Sequence, residues 1–190
     1  MPGRFSVYNS LAAISVCLKL GISPEVIKEA LTRVVVPGRN ELVPNKKELT
    51  VMIDFAHTPK SLENILNAVQ SYTKGRVICV FGCGGDRDTA KRSIMGEISG
   101  RIADFTVITS DNPRTEDPEK IIEQIESGIK KTKGNYITIC DRKEAIKYAL
   151  EMAEKKDIVI LAGKGHETYI EINGKKHFFD EREVVKEILK

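Results

Sequence analysis

The strongest constraint on the fold comes from short segments of continuously apolar residues that recur along the chain. Residues 77–81 read VICVF and residues 158–161 read IVIL, without the alternation of a half-exposed strand. Such runs are typical of strands that are buried on both faces of a sheet. On this basis, strands are predicted at residues 50–55, 76–81, 105–109, 136–140 and 157–162.

Helical patterns separate these strands. They cover residues 59–72, 91–102, 118–130 and 142–155. Because strands that alternate with helices are typical of parallel sheets, we predict an α/β fold with a doubly wound, mostly parallel, Rossmann-like sheet. Three helix starts are marked by a capping side chain directly before a proline, at Ser23, Thr58 and Asp117.

A hairpin signal interrupts the pattern near the C-terminus. Asn173 and Gly174 lie between two strand-like segments, 168–172 and 175–179, and this dipeptide is typical of a two-residue turn. We predict an antiparallel hairpin at an edge of the sheet, followed by a helix from about Asp180.

The start of the chain also differs from the rest. Its first 35 residues hold two helical patterns and no strand, so they cannot build a sheet layer of their own. We predict that residues 1–35 are the helical end of a larger domain with an exposed apolar face, that 36–47 form a linker, and that 48–190 form the main domain.

Composition excludes several classes of protein. The 190 residues fit one domain with a short appendage, and 30 basic residues against 27 acidic ones leave a net charge of +3. This balance does not favour a nucleic-acid or membrane surface, so neither partner is predicted. The sequence has no membrane-spanning run and no signal peptide, which predicts a cytoplasmic protein. The four cysteines lack the spacing of a zinc site, so no metal site is predicted.

Charged and glycine-rich loops follow four of the predicted strands. They are DFAHTP at 54–59, GCGGDRD at 82–88, SDNPR at 110–114 and GKGHE at 163–167. Ligands of open parallel sheets bind beyond the carboxyl ends of the strands, where these loops converge. We therefore predict a site for a small zwitterion or polyanion at this edge.

Two of these loops also have simpler interpretations. Gly82 and Gly84 resemble the start of a dinucleotide fingerprint, but Arg87 occupies the position of its third glycine, which argues against a nicotinamide cofactor. The glycines alone could serve only a tight turn, and Arg114 alone could be a solvated surface charge. A guanidinium on a proline-stiffened turn is nevertheless suited to bind a carboxylate through two parallel hydrogen bonds. No catalytic set such as Ser-His-Asp is demonstrable, so catalytic residues stay unassigned.

Six motifs in order connect the chain to a known family. They are Tyr8-Asn9-x-x-Ala12-Ala13, Gly38-Arg39-x-Glu41, Asp54-x-Ala56-His57-Thr58-Pro59, Phe81-Gly82-Cys83-Gly84-Gly85-Asp86-Arg87-Asp88-x-x-Lys91-Arg92, Asp111-Asn112-Pro113-Arg114 and Gly163-Lys164-Gly165-His166-Glu167. Together they resemble the C-terminal part of the Mur ligases, and most closely the members that add meso-diaminopimelate to the UDP-MurNAc-dipeptide UDP-MurNAc-L-Ala-D-Glu.

This resemblance implies an ATP-driven amide ligase of peptidoglycan synthesis. In that family a carboxylate becomes an acyl phosphate, which an incoming amine attacks. The resemblance also implies that residues 1–35 are the end of a central ATP-binding domain and that 48–190 are the domain that delivers the amino acid.

The resemblance further implies a set of substrate contacts. The matching positions are Arg87, Asp111, Asn112, Arg114, Gly163 and Glu167. In this interpretation Arg114 binds the distal carboxylate of meso-diaminopimelate, while Glu167 and the Gly163 carbonyl bind its distal ammonium. Arg87 binds the carboxylate beside the reacting amine. Positions on the nucleotide side are matched by Asn9, Arg39, Asp54 and His57.

Two departures from the family pattern limit what the chain is expected to do alone. Ser6 stands where the family usually has an asparagine, which weakens or shares an adenine contact. The sequence has no Gly-x-x-x-x-Gly-Lys-Ser/Thr phosphate loop, so ATP and Mg²⁺ are expected in the complete enzyme and not on this chain alone. The family's UDP-sugar domain and modified metal-site lysine are expected in upstream sequence. We therefore interpret the chain as a fragment without ligase activity of its own.

Other interpretations stay open on sequence alone. The chain could be a genuinely short homologue, or a free-standing amino-acid-binding or regulatory module derived from such a ligase. It could also belong to another amide ligase of the same superfamily, such as a folylpolyglutamate synthetase, although the Asp-Asn-Pro-Arg motif argues against this.

Overall fold

Six strands form the main sheet of the computed structural model, which describes residues 4–190. In chain order the elements are α1 (Arg4–Lys19), α2 (Pro24–Arg33), β1 (Glu41–Leu42), β2 (Thr50–Asp54), α3 (Pro59–Gln70), β3 (Val77–Phe81), α4 (Ala90–Ile102), β4 (Phe105–Ile108), α5 (Pro118–Ile129), β5 (Asn135–Thr138), α6 (Arg142–Met152), β6 (Ile158–Ala162), β7 (Tyr169–Ile172), β8 (Lys175–Phe178) and α7 (Glu181–Ile188). The main sheet has the order β1-β2-β6-β3-β4-β5. Strands β2 to β6 are parallel, and β1 is antiparallel to β2. The predicted α/β fold is confirmed, with element bounds that differ by a few residues.

The sheet carries a hydrophobic core on each face. Strands β3 and β6 are buried at every position, as their continuously apolar sequences predict. On one face, Leu62, Met95 and Ile125 from α3, α4 and α5 pack into the core. On the other face, Ile146 and Val185 from α6 and α7 do the same. Helices therefore cover both faces, and the carboxyl ends of the five parallel strands meet at one edge of the sheet.

The three predicted helix caps are present. The side chain of Ser23 accepts a hydrogen bond from Val26 N–H at 3.5 Å, and Asp117 accepts one from Glu119 N–H at 3.0 Å. Thr58 forms a capping box with Ser61 at the start of α3. In each case a proline follows the cap, at a position where a backbone N–H would have no acceptor within the helix.

The segment predicted as a linker, 36–47, contributes strand β1 to the edge of the sheet. Asn40 precedes this strand with a φ of +47° and donates its backbone N–H to Asp54 Oδ2 at 2.9 Å. Arg182 at the start of α7 donates two 2.8 Å hydrogen bonds to the Glu41 carboxylate. This part of the segment is therefore fixed to β2 and α7.

The predicted hairpin is present, but its predicted place at an edge of the main sheet is wrong. Strands β7 and β8 form a separate two-stranded sheet, while the edges of the main sheet are β1 and β5. The hairpin is held by the backbone of Arg114, whose N–H donates to Glu171 O at 3.0 Å and whose carbonyl accepts from Asn173 N–H at 2.8 Å. Arg114 has a φ of +51°, which turns both groups toward the hairpin. The hairpin thereby lies over the carboxyl edge of the sheet.

The helices α1 and α2, with the segments that follow them, expose many large apolar side chains. These are Val7, Tyr8, Leu11, Val16, Leu18, Leu20, Ile22 and Val26, followed by Val34, Val35 and Val36. The prediction of an exposed apolar face in this part of the chain agrees with the structure. No helix within residues 4–190 has both the length and the apolar character required to cross a bilayer.

Candidate functional site

Glycines let the loops at the carboxyl edge approach one another closely. A Cβ atom at Gly82, directly after β3, would overlap the carbonyl oxygen of Thr109, directly after β4. A Cβ atom at Gly163, after β6, would lie 2.8 Å from Asp111 Oδ2. The loop after β4 therefore passes across the end of β3 and reaches the loop after β6, which brings residues 111–114 and 163–167 together.

Four polar side chains from these two loops form one cluster, which we call the edge cluster: Asp111, Asn112, Lys164 and Glu167. The Asn112 amide donates to Glu167 Oε2 at 2.8 Å, and its oxygen accepts from Lys164 Nζ at 3.2 Å. Lys164 Nζ also lies 3.4 Å from Asp111 Oδ1 and 3.5 Å from Glu167 Oε2. The Lys164 side chain is fully buried, so its ammonium contacts the polar groups of the cluster in place of water.

The edge cluster carries a net negative charge when its carboxyls are ionised. One ammonium faces two carboxylates, and Asn112 is neutral. In a partly buried site this imbalance favours the binding of a second cation, such as the ammonium group of a ligand. The backbone N–H of Glu171 also donates to Asn112 Oδ1 at 2.9 Å, which fixes the orientation of the amide.

Arg114 adds a guanidinium beside this cluster. Its Nη1 donates to Gly85 O at 2.6 Å, and its Nε lies 3.3 Å from Glu171 Oε2. Glu171 contacts both Asn112 and Arg114, so Arg114 and the edge cluster share one side of the molecule. A cation-binding group and an anion-binding group in this arrangement suit a zwitterionic end of a small molecule.

The structure brings five of the six predicted substrate contacts together and leaves one apart. Asp111, Asn112, Arg114, Gly163 and Glu167 form the site just described. Arg87 lies on the neighbouring glycine loop and is exposed, with no hydrogen bond to the other five in the described residues.

The glycine loop that carries Arg87 is held by a buried arginine. The side chain of Arg92 has no exposed surface and binds both oxygens of Glu116, at 2.8 and 2.9 Å. It also donates to Gly84 O at 3.1 Å, and Glu116 accepts from Asp86 N–H at 2.6 Å. The hydrogen bonds from Arg92, followed by that from Asp86, lower the pKa of Glu116 to about 2.

The lowered pKa of Glu116 predicts acid sensitivity. Its folded pKa of about 2 lies below its ordinary value of 4.5, so the unfolded chain takes up this proton first as the pH falls. The stabilisation is complete above about pH 4.5 and is lost toward pH 2. We expect the free energy of unfolding of Glu116→Gln, measured with urea between pH 5 and pH 2.5, to fall less steeply than that of the wild type. Parallel curves for the two proteins would contradict this assignment.

A second cleft, of about 620 Å³, lies between the N-terminal helices, the end of β2 and α3. Three of the four residues predicted for the nucleotide side line it, namely Asn9, Arg39 and Asp54. The rest of its wall is mixed, with apolar side chains such as Leu31 and Val36 and polar ones such as Asn64. Burial raises the pKa of Asp54, against the opposing effect of the hydrogen bond from Asn40 N–H. A cleft that combines apolar side chains with hydrogen-bonding groups suits a flat heteroaromatic ring.

His57, the fourth of these residues, does not line this cleft. Its ring centroid lies 4.5 Å from that of Phe55, and its Nδ1 lies 2.8 Å from Phe55 O. The Arg39 guanidinium lies 4.7 Å from the centroid of the same Phe55 ring. His57 is therefore connected to the cleft through Phe55 and Arg39.

Two charged residues of this region, Arg142 and Glu181, were not identified from the sequence as part of the site. Arg142 and Glu181 form a fully buried ion pair beneath the edge cluster. One sequence signal could have identified Arg142, because it occupies the first turn of α6, where the helix dipole disfavours a cation. An arginine in such a position indicates a specific partner elsewhere in the fold.

Comparisons with known proteins agree with this architecture. A family model described as Mur ligase, glutamate ligase domain, matches residues 38–165. A UDP-N-acetylmuramoyl-L-alanyl-D-glutamate–2,6-diaminopimelate ligase from Caldanaerobacter subterraneus subsp. tengcongensis is 57% identical over 189 residues, which cover 100% of this chain and 39% of that protein. The protein of the same name from Clostridioides difficile is 53% identical over 190 residues, with 100% and 39% covered. The chain thus spans about two fifths of the length of these curated relatives.

Solved structures show the same similarity. The structure of a UDP-N-acetylmuramoyl-L-alanyl-D-glutamate–2,6-diaminopimelate ligase superposes with a TM-score of 0.77 at 37% identity, and the match covers 100% of this chain and 39% of the other. A folylpolyglutamate synthase from Mycobacterium tuberculosis, complexed with ADP and AMPPCP, has a TM-score of 0.67 at 20% identity, with 86% and 38% covered. At that identity the second likeness concerns the fold alone.

Proposed function

Because this chain belongs to the Mur ligase family, we propose that it binds meso-diaminopimelate for an ATP-dependent ligase that joins this amino acid to UDP-MurNAc-L-Ala-D-Glu in peptidoglycan synthesis. The observation that carries the proposal is the edge cluster, whose net negative charge lies next to the Arg114 guanidinium. The names of relatives that are 53–57% identical to this chain support the same substrate.

The proposed substrate has an ammonium and a carboxylate at each end. At the distal end, Glu167 and the Gly163 carbonyl take the ammonium, and Arg114 takes the carboxylate. Arg87, which is exposed on its loop, takes the carboxylate beside the reacting amine. Lysine has the distal ammonium but no distal carboxylate, so it leaves Arg114 without its partner.

The cleft beside the N-terminal helices is proposed as the base side of the ATP site. Its apolar side chains would contact the faces of the adenine, while Asn9 and Asp54 offer hydrogen bonds. ATP, when bound in the complete protein with Mg²⁺, supplies the phosphoryl group that activates the substrate carboxylate. We assign the binding of the ATP phosphates, Mg²⁺ and the UDP-MurNAc-dipeptide to other parts of the complete protein. The complete ligase is proposed to act in the cytoplasm.

Titration calorimetry of this chain with meso-diaminopimelate and L-lysine tests the proposal. We expect meso-diaminopimelate to bind more tightly by roughly 10- to 150-fold, since a charge-assisted hydrogen bond contributes about 1.5–3 kcal/mol. Glu167→Gln is expected to weaken binding of both amino acids, because both carry the distal ammonium. Equal affinities for the two ligands, or no binding of meso-diaminopimelate, would contradict the proposal.

A further inference from the structure

A fully buried ion pair lies beneath the edge cluster. The Arg142 and Glu181 side chains are 0% and 1% exposed, and they come from the first turns of α6 and α7. Arg142 Nε and Nη2 both contact Glu181 Oε1, at 2.9 and 2.8 Å. Burying two charges away from water is costly, and an apolar pair of similar volume often gives equal or greater stability, so stability alone does not account for this pair.

The other hydrogen bonds of Arg142 go to the ends of two strands. Its Nη1 donates to Ser110 O at 3.1 Å, and its Nη2 donates to Ala162 O at 3.0 Å. Ser110 follows β4 and directly precedes Asp111, while Ala162 ends β6 and directly precedes Gly163. Strands β4 and β6 do not pair with each other, because β3 lies between them. Arg142 is therefore a direct link between the two loops that form the edge cluster.

We propose that Arg142 is a positioning residue for the amino-acid site, oriented by Glu181, and that it sets the distance between residues 111–114 and 163–167. This inference rests on the proposed function. The planar guanidinium presents its donors in fixed directions, so it can hold two carbonyl oxygens and one carboxylate at set positions. A lysine in its place keeps the charge but cannot reproduce this geometry.

Glu181 has a second, electrostatic consequence for the site. Arg142 and Glu181 together are neutral, so the pair leaves the negative charge of the edge cluster in place. Without the Glu181 carboxylate, the Arg142 cation beneath Asp111 would offset that charge and oppose the ammonium of a ligand. Glu181→Gln is therefore expected to weaken ligand binding although it preserves the shape of the side chain.

The test compares Arg142→Lys with a control substitution at the amino ends of the parallel strands. Arg76 directly precedes β3, and Asp157 directly precedes β6. Arg76 binds Asp157 through Nε and Nη2, at 2.9 and 2.6 Å, and donates to Met152 O at 2.9 Å. Arg76→Lys thus makes the same chemical change far from the site. We expect Arg142→Lys to weaken meso-diaminopimelate binding by roughly 10- to 100-fold, the range in which loss of an outer-shell contact weakens binding at metal sites. The control is expected to bind within about 2-fold of the wild type.

Backbone amide hydrogen exchange without ligand separates this inference from the proposed function. We expect faster exchange in residues 111–114 and 163–167 for Arg142→Lys, and no change there for Arg76→Lys. If the wild type fails to bind meso-diaminopimelate, the proposed function falls, and the exchange measurement still decides the positioning role. Unchanged exchange in either loop, an unchanged affinity of Arg142→Lys, or an equal loss in the control would each overturn the inference. If Arg142→Lys does not fold, Glu181→Gln takes its place with the same expected changes in exchange and binding and the same contradicting outcomes.

Discussion

Replacing Lys164 by methionine is expected to lower the free energy of unfolding by about 3–5 kcal/mol, as the loss of one partner from a buried ion pair does. The Lys164 side chain is fully buried, and that of Asp111 is only 8% exposed. Methionine fills a similar volume, so the main effect is the removal of the ammonium. Asp111 and Glu167 then both lose the cation that they contact. Urea unfolding at neutral pH measures the change.

Two further variants show whether charge is the cause. Adding Asp111→Asn to Lys164→Met removes the unpaired carboxylate, so the double variant is expected to recover part of the lost stability. Lys143→Met breaks an exposed ion pair with Glu187 and is expected to cost less than about 1 kcal/mol. The role assigned to Lys164 would be contradicted if the losses of stability of Lys164→Met and Asp111→Asn simply added in the double variant. A loss for Lys143→Met as large as that for Lys164→Met would contradict it as well.

Replacing Arg114 by alanine is expected to weaken meso-diaminopimelate binding by roughly 10- to 150-fold, because a charge-assisted hydrogen bond is lost. Arg114→Lys is expected to recover only part of this affinity, since an ammonium cannot form the two parallel hydrogen bonds. L-Lysine binding is expected to change little, because lysine has no distal carboxylate. Titration calorimetry with the two amino acids measures both effects.

The controls for Arg114 address its contacts within the protein. Arg101→Ala removes an arginine that pairs with Glu97 on the surface of α4, and it is expected to leave binding unchanged. Glu171→Gln removes the carboxylate that lies 3.3 Å from Arg114 Nε in the absence of ligand, and it is expected to preserve or strengthen binding. Unchanged affinity of Arg114→Ala for meso-diaminopimelate would contradict the assignment.

The sheet was predictable because the continuously apolar sequences of its strands are compatible with few other structures. Continuously apolar runs such as 77–81 must be buried on both faces, and helices must cover them. The caps at Thr58 and Asp117 were predictable because a side-chain acceptor before a proline is a local pattern. These features need no knowledge of distant contacts.

Features that depend on distant contacts were not predictable. Strand β1 has two residues in a segment rich in turn formers, so no periodicity reveals it. The Asn173-Gly174 turn specifies a hairpin but not where it docks, which is decided by the backbone of Arg114. The burial of Lys164 was also missed, because a lysine between two glycines is typical of an exposed loop.

The central position of β6 has a consequence for synthesis of the protein on the ribosome. Strand β6 lies between β2 and β3, although it follows both of them by many residues in the chain. A nascent chain that has not yet reached residue 162 therefore holds β2 and β3 with facing edges that have no partner. Such edges are sites of aggregation and chaperone capture, and high contact order slows their closure. Completion of the sheet must wait until residues 158–162 have left the exit tunnel.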